Sequence, residues 1–199
     1  MRKLVVLTFV SLDGVMQAPG GKGEDPSGGF KFEGWTHPYF DDAAGEAMAK
    51  QMAGPFDLLL GRKTYDIFSG YWPEHQAEWP ASAQAKKYVV SHHKVTSKWD
   101  TTVPIYDSVV ESIGKLKGES GPSLHVYGSS VLVQTLLNND LVDELWLKTF
   151  PVTLGKGKRL FAEGTIPTAW KLIKTSVTPS SVIFASYRRD GEVKVGSFT

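Results

Sequence analysis

Residues 3–10 are almost continuously apolar, the pattern of a strand covered on both faces. Residues 14–36 break it. They are rich in glycine, with Pro19 and Pro26, and read as a long loop, of a length that in compact domains is a functional lid or disordered. Phe30, Phe32 and Trp35 predict that part of this loop packs. Apolar positions 43, 44, 47, 48 and 52 then recur at helical spacing and predict a helix to about Met52, capped by Asp41 or Asp42 and ended by Gly54-Pro55. Residues 56–60 predict a short buried strand whose one charge, Asp57, lies at its open end. A helix follows from Thr64 and stops at Gly70, and another short one is expected from Pro80.

Residues 87–91 and 103–106 read as strands. Ser108 stands three residues before Glu111, a capping box that predicts a helix to about Leu116. A strand at 124–127 leads through Gly128-Ser129-Ser130 into a helix ending near Asn138. Residues 142–150 alternate in character as a longer strand, and 170–178 with 181–188 read as an antiparallel pair. Strands thus alternate with helices for two thirds of the chain and then dominate. The expectation is one α/β domain over residues 1–199, its sheet mostly parallel with antiparallel additions at the C-terminal end.

Composition narrows the function. A net charge of +1 gives no field for nucleic acid or anionic lipid. No apolar run approaches ~18 residues, so no membrane span is expected. Residues 2–7 followed by a polar turn suit a first strand better than an export signal, which makes the cytoplasm the expected compartment. The chain has no cysteine, which removes thiol chemistry and thiolate-ligated metals. Its five histidines show no metal-ligand spacing, and no metal is expected. There is no Walker loop, GxGxxG, GxSxG or zinc-deaminase pattern. What remains is chemistry that a bound cofactor performs, with hydride transfer from a nicotinamide foremost.

Ligands of α/β sheets bind beyond the carboxyl ends of the strands. There this chain places Ser11-Leu12-Asp13-Gly14, Gly61-Arg62-Lys63-Thr64, Ser91-His92-His93 and Gly128-Ser129-Ser130. Taken singly, each has a plainer reading as a turn or as solvated charge. At four successive strand ends, small, hydroxylated and cationic residues make a cradle for phosphates. The Arg62-Lys63 pair suits an additional dianion.

In order and spacing these segments resemble the reductase domain at the C-terminus of bacterial riboflavin-biosynthesis deaminase–reductases, within the dihydrofolate reductase-like superfamily. The resemblance extends through Pro38-Tyr39-Phe40-Asp41-Asp42, Lys87-Tyr88-Val89-Val90-Ser91, Leu141-Val142-Asp143-Glu144-Leu145 and the run from Pro151 to Phe161. It covers nearly the whole chain and is closest to stand-alone, single-domain members. It implies a three-layer α/β/α dihydrofolate reductase-like fold with a mixed, mostly parallel central sheet, and NADPH as hydride donor. Gly61, Arg62, Lys63 and Thr64 would hold the adenosine side, with Ser91 and His92 at the same end. Gly128, Ser129 and Ser130 would take the pyrophosphate. Phe9, Val10, Gly14, Val15 and Met16 would border the nicotinamide.

On the substrate side the resemblance implies an acid on the first helix, for which Asp41, Asp42 and Glu46 are the candidates; Asp42 and Glu46, four apart, share one helical face, and capping is the plainer role for Asp41 and Asp42. Lys148 falls where pterin enzymes often carry a threonine. With Lys156, Lys158 and Arg159 it suits an anionic substrate. The implied activity is NADPH-dependent reduction of a small heterocyclic, pyrimidine- or pterin-like, or carbonyl-bearing substrate, similar to that of 5-amino-6-(5-phosphoribosylamino)uracil reductase. A non-catalytic NADP(H)-binding module and a true dihydrofolate reductase are the alternatives. A homodimer is implied as well, and the apolar strand at 142–150 offers surface for it.

Overall fold

The computed structural model describes residues 1–96 and 99–198. Its strands are β1 (Leu4–Ser11), β2 (Phe56–Gly61), β3 (Lys87–Val90), β4 (Thr102–Ile105), β5 (Ser123–Tyr127), β6 (Glu144–Phe150), β7 (Trp170–Val177) and β8 (Ile183–Arg189). Between them lie the helices α1 (Asp42–Met52), α2 (Arg62–Ser69), α3 (Pro80–Gln84), α4 (Val109–Gly118) and α5 (Ser130–Asn138). Among the described residues the strands join one sheet in the order β4-β3-β2-β5-β1-β6-β8-β7. The first six run parallel, and β8 and β7 add antiparallel pairs. This is the mixed, mostly parallel sheet that the resemblance implies.

Burial on both sides of β1 follows from its unbroken apolar run. Leu4, Val6 and Val10 pack with Ile113 of α4 and Leu132, Val133 and Leu136 of α5. Val5 and Leu7 face the other way, toward Leu58, Leu60, Tyr65 and Trp79. Further along that second face, Phe150, Phe184 and Val182 are covered by Ala44, Ala47 and Met48 of α1 and by Phe30 and Trp35 of the long loop. That loop is therefore packed at Phe30 and Trp35, whereas Phe32 is exposed.

Four local expectations are corrected. Asp57 does not lie at an open end. It is buried and paired with Arg2. The Ser108–Glu111 capping box does not form, because Ser108 sits at φ 47°, left-handed rather than extended, and its hydroxyl makes no cap bond. The strand expected from residue 142 begins at Glu144, since Asp143 spends its carboxylate on the Leu4 N–H and the Lys117 ammonium. Nor does β6 offer an edge for another copy, because it lies between β1 and β8; among the described residues the sheet's edges are β4 and β7. Among the described residues, no helix is long and apolar enough to cross a membrane.

Candidate active site

Because β1, β2, β3 and β5 run parallel, their carboxyl ends open on one rim of the sheet. A cavity of about 730 Å³ occupies that rim, within the ~300–1,000 Å³ usual for ligand sites. The β2–α2 turn supplies Gly61, Arg62, Lys63 and Thr64 to its wall; Ser91 and His92 follow β3; Gly128, Ser129 and Ser130 follow β5; Phe9 and Met16 come from β1 and the loop after it.

Two of these turns are clasped to each other. The Gly61 N–H donates to Ser129 Oγ at 3.0 Å, and the Ser129 N–H donates to Thr64 Oγ1 at 3.1 Å. Gly128 and Ser129 reach this arrangement through successive left-handed residues, φ 51° and 52°. The N–H groups that open α5, without intrahelical partners as at any helix start, are thereby fixed at the cavity. Thr64→Val keeps the shape but leaves the Ser129 N–H unpaired. It is expected to cost about 1–2 kcal/mol in urea unfolding; an unchanged midpoint would mean the clasp is not a structural tie.

The cations are oriented in advance. Arg62 holds both oxygens of Asp66 through Nε, at 2.8 and 2.9 Å, and donates to the Lys94 carbonyl. Lys63 and Lys158 grip the two oxygens of Asp25, each at 2.6 Å. Burial works to raise the Asp25 pKa, but hydrogen bonds from Lys158, Lys63 and Ser27 outweigh it and hold the carboxyl far below its usual range. Asp25 thus latches the long loop over the cavity, and Gln17 ties the same loop through the carbonyls of Asp25 and Ser27. Ser91 spends its hydroxyl on the backbone of His93.

Other expected residues stand outside the cavity wall. Val10 faces the opposite core. Gly14 and Val15 shape the turn beneath it: the Gly14 N–H bonds the Ser11 carbonyl, and Val15 bridges Arg159. Arg159 is a loop staple, donating to the carbonyls of Asp13 and Gly155, and Lys156 is exposed. Asp42 and Glu46 do not reach the cavity. The face of α1 that packs carries Ala44, Ala47 and Met48, which leaves both acids exposed, Glu46 beside Lys50 at 3.9 Å. Asp41 is the N-cap, accepting from the Ala44 N–H and also from the Ser180 N–H.

The remaining end of the cavity, beneath α1, went unnoticed in the sequence. Met48, Met52, Phe68, Trp72, Trp79 and Tyr127 line it. Nothing local marked the Tyr127 hydroxyl, which is buried with no partner. Lys148, expected on the substrate side, lies on the same face of the sheet, paired in register with Phe9, but is buried outside the cavity wall.

Comparison with known proteins agrees with this fold. The family described as RibD C-terminal domain matches residues 2–184. The uncharacterised protein YyaP of Bacillus subtilis (strain 168) is 32% identical over 141 residues, covering 67% of this chain and 74% of that protein. Among solved structures, a putative riboflavin biosynthesis protein from Shewanella sp. PV-4 superposes with a TM-score of 0.72 at 24% identity, over 94% of this chain and 99% of the other. A pyrimidine reductase-like protein from Corynebacterium diphtheriae gives 0.62 at 13% identity, over 94% and 92%. A dihydrofolate reductase from Enterococcus faecalis, complexed with NADP(H) and RAB-propyl, gives 0.61 at 15% identity, over 94% and 96%. These likenesses establish the fold.

Proposed function

Because the chain belongs to the RibD C-terminal domain family, a reductase-type family on the dihydrofolate reductase-like fold, we propose that it is an NADPH-dependent reductase of a small planar acceptor. The observation that carries the reading is the clasped pair of turns at the cavity, with Arg62 and Lys63 on one and the start of α5 on the other. The Gly128-Ser129-Ser130 turn holds the pyrophosphate, with the free backbone N–H groups that open α5 as donors. Arg62, steadied by Asp66 and the Lys94 carbonyl, meets the adenosine 2′-phosphate. NADPH, when bound, supplies the hydride. Phe9 and Met16 border the nicotinamide, and the Asp25-latched loop keeps water from it.

A true dihydrofolate reductase is a poorer reading. Its acid is wanted on α1, where Asp42 and Glu46 face solvent, and the carboxylates that do line the cavity, Glu24 and Asp25, belong to the loop. We extend the proposal to a homodimer. Leu172, Ile173 and Val177 on the edge strand β7 are about half exposed or more and supply an apolar surface for a second copy.

Calorimetric titration tests the cofactor. NADPH is expected to bind well below the dissociation constant of NADH. Arg62→Ala should weaken NADPH by roughly 10–100-fold, the worth of a charge-assisted contact to phosphate, and barely move NADH. Equal affinity for the two cofactors in the native protein would end the reading.

A further inference from the structure

We propose that this protein takes an uncharged aromatic acceptor: the end of the cavity beneath α1 is a binding site for a flat apolar ring that carries neither an anionic nor a cationic group. The inference rests on the reductase reading and adds the acceptor's class.

The wall at this end is apolar surface left uncovered. Met48 and Met52 stand four apart on α1 and so share one side of the helix. With Phe68 of α2 and Trp72 just beyond it, they line the cavity. All four pack against core residues, yet each stays only half-buried. Trp79 and Tyr127 complete the wall at 2% and 9% exposure. The rings meet edge to face, Trp72 on Trp79 at 5.0 Å and Phe68 on Trp79 at 6.1 Å between centroids. Side chains of this size in a core normally end up fully covered. Apolar surface that stays open inside a concavity marks a ligand site, and aromatic walls favour a flat ring. The two thioethers let the wall adjust to the ring's outline.

The ligand's charge follows from where the charges are. Ionisable groups reach the cavity from the long loop, the β2–α2 turn, the turn after β3 and the segment before β7 that holds Lys158. Among the described residues, α1 and the stretch from Phe68 to Trp79 contribute none to the wall. The charges on the other walls are engaged. Arg62 is held by Asp66, Lys63 and Lys158 are held by Asp25, and Glu24 accepts the Gly20 and Gly21 N–H groups at 2.6 and 3.3 Å. Asp42 and Glu46 face solvent, and Lys148 is buried outside the wall. The Trp79 indole N–H is spent on the Met52 carbonyl at 3.3 Å. Tyr127 adds a phenol that burial keeps protonated. A charged ring would therefore exchange water for a wall with no counterion of either sign, a loss that an uncharged ring escapes.

Calorimetry on the full chain, first without cofactor and then at saturating NADP⁺, compares three ligands built on one ring: 2-acetylnaphthalene, 2-naphthoate and 2-naphthylmethylammonium. The uncharged ketone is expected to bind at least about tenfold tighter than either charged ligand, and to bind as well with NADP⁺ present as without it. Met52→Lys puts an ammonium on the wall. It should weaken the ketone at least about tenfold and reverse the order in favour of the naphthoate. Equal affinities, a charged ligand binding tightest, no binding by any of the three, exclusion of the ketone by NADP⁺, or an unchanged order in folded Met52→Lys would each overturn the proposal. The charge series on the native protein needs no variant, so it decides even if Met52→Lys fails to fold. Failure of the native protein to bind NADP⁺ or NADPH would instead strike the cofactor reading, and the series without cofactor would still judge the acceptor's class.

Discussion

Asp57→Ala is expected to lower the unfolding free energy by about 3–5 kcal/mol, the usual cost of stripping one partner from a buried ion pair. Asp57 Oδ2 meets the Arg2 guanidinium, with side chains 10% and 2% exposed, and its Oδ1 accepts the Lys86 N–H at 2.8 Å. Arg2 also donates Nε to the Pro122 carbonyl at 2.7 Å. One carboxylate therefore ties the segments entering β1, β2, β3 and β5. Its removal leaves a guanidinium and an amide N–H without their partner in a place water does not reach. Urea unfolding measures the loss, and a change under about 1 kcal/mol would mean the pair behaves like a surface one. Because this knot lies at the end of the parallel strands opposite the cavity, cofactor affinity of the folded fraction should not change.

Gly157→Ala ranks next, at roughly 2–4 kcal/mol, from backbone strain and overpacking together. Gly157 stands at φ 138°, and a Cβ there would come within 2.6 Å of Val15 Cγ1 and 3.0 Å of the Phe30 ring. Neither neighbour can retreat, since Val15 and Phe30 are core residues of the loop–sheet cluster. The next residue, Lys158, holds the loop through its N–H to Gln17 Oε1 and its ammonium to Asp25. The substitution should thus lower the melting temperature and weaken NADPH together. Gly155→Ala is the control: it too has a positive φ, 72°, but open space around the added carbon, and should cost only about 1–2 kcal/mol. Equal losses in the two variants would assign the whole effect to backbone conformation and none to Val15 and Phe30.

The pattern that was legible is the local one. Runs such as residues 4–10 and 58–60 announce buried strands. The glycine, hydroxyl and cation clusters after them fall at the strand ends where a sheet exposes its turns, so Gly61–Thr64 and Gly128–Ser130 were found from spacing. Pairings across the sheet were not legible. Nothing near Asp57 announces Arg2, and nothing in the Asp25-Pro26 turn announces two lysines, one 38 and one 133 residues away. The acids of α1 misled for a physical reason. Helical spacing says that Asp42 and Glu46 share a face, but the small residues Ala44 and Ala47 decide which face packs. Lys148 was expected on the substrate side by strand position alone, and the structure buries it between Phe9 and Phe184, outside the cavity wall.

The strand order carries a consequence for how the chain is made. β1 leaves the ribosome before the other strands of its sheet, yet its neighbours are β5 and β6, with Leu4 beside Leu124 and Phe9 beside Lys148. The whole stretch from β1 to β6 must be synthesised before the middle of the sheet can close. Until then an apolar segment with open hydrogen-bonding edges waits in the cell, a nascent chain that depends on slow, long-range pairing and gives chaperones their opportunity to bind.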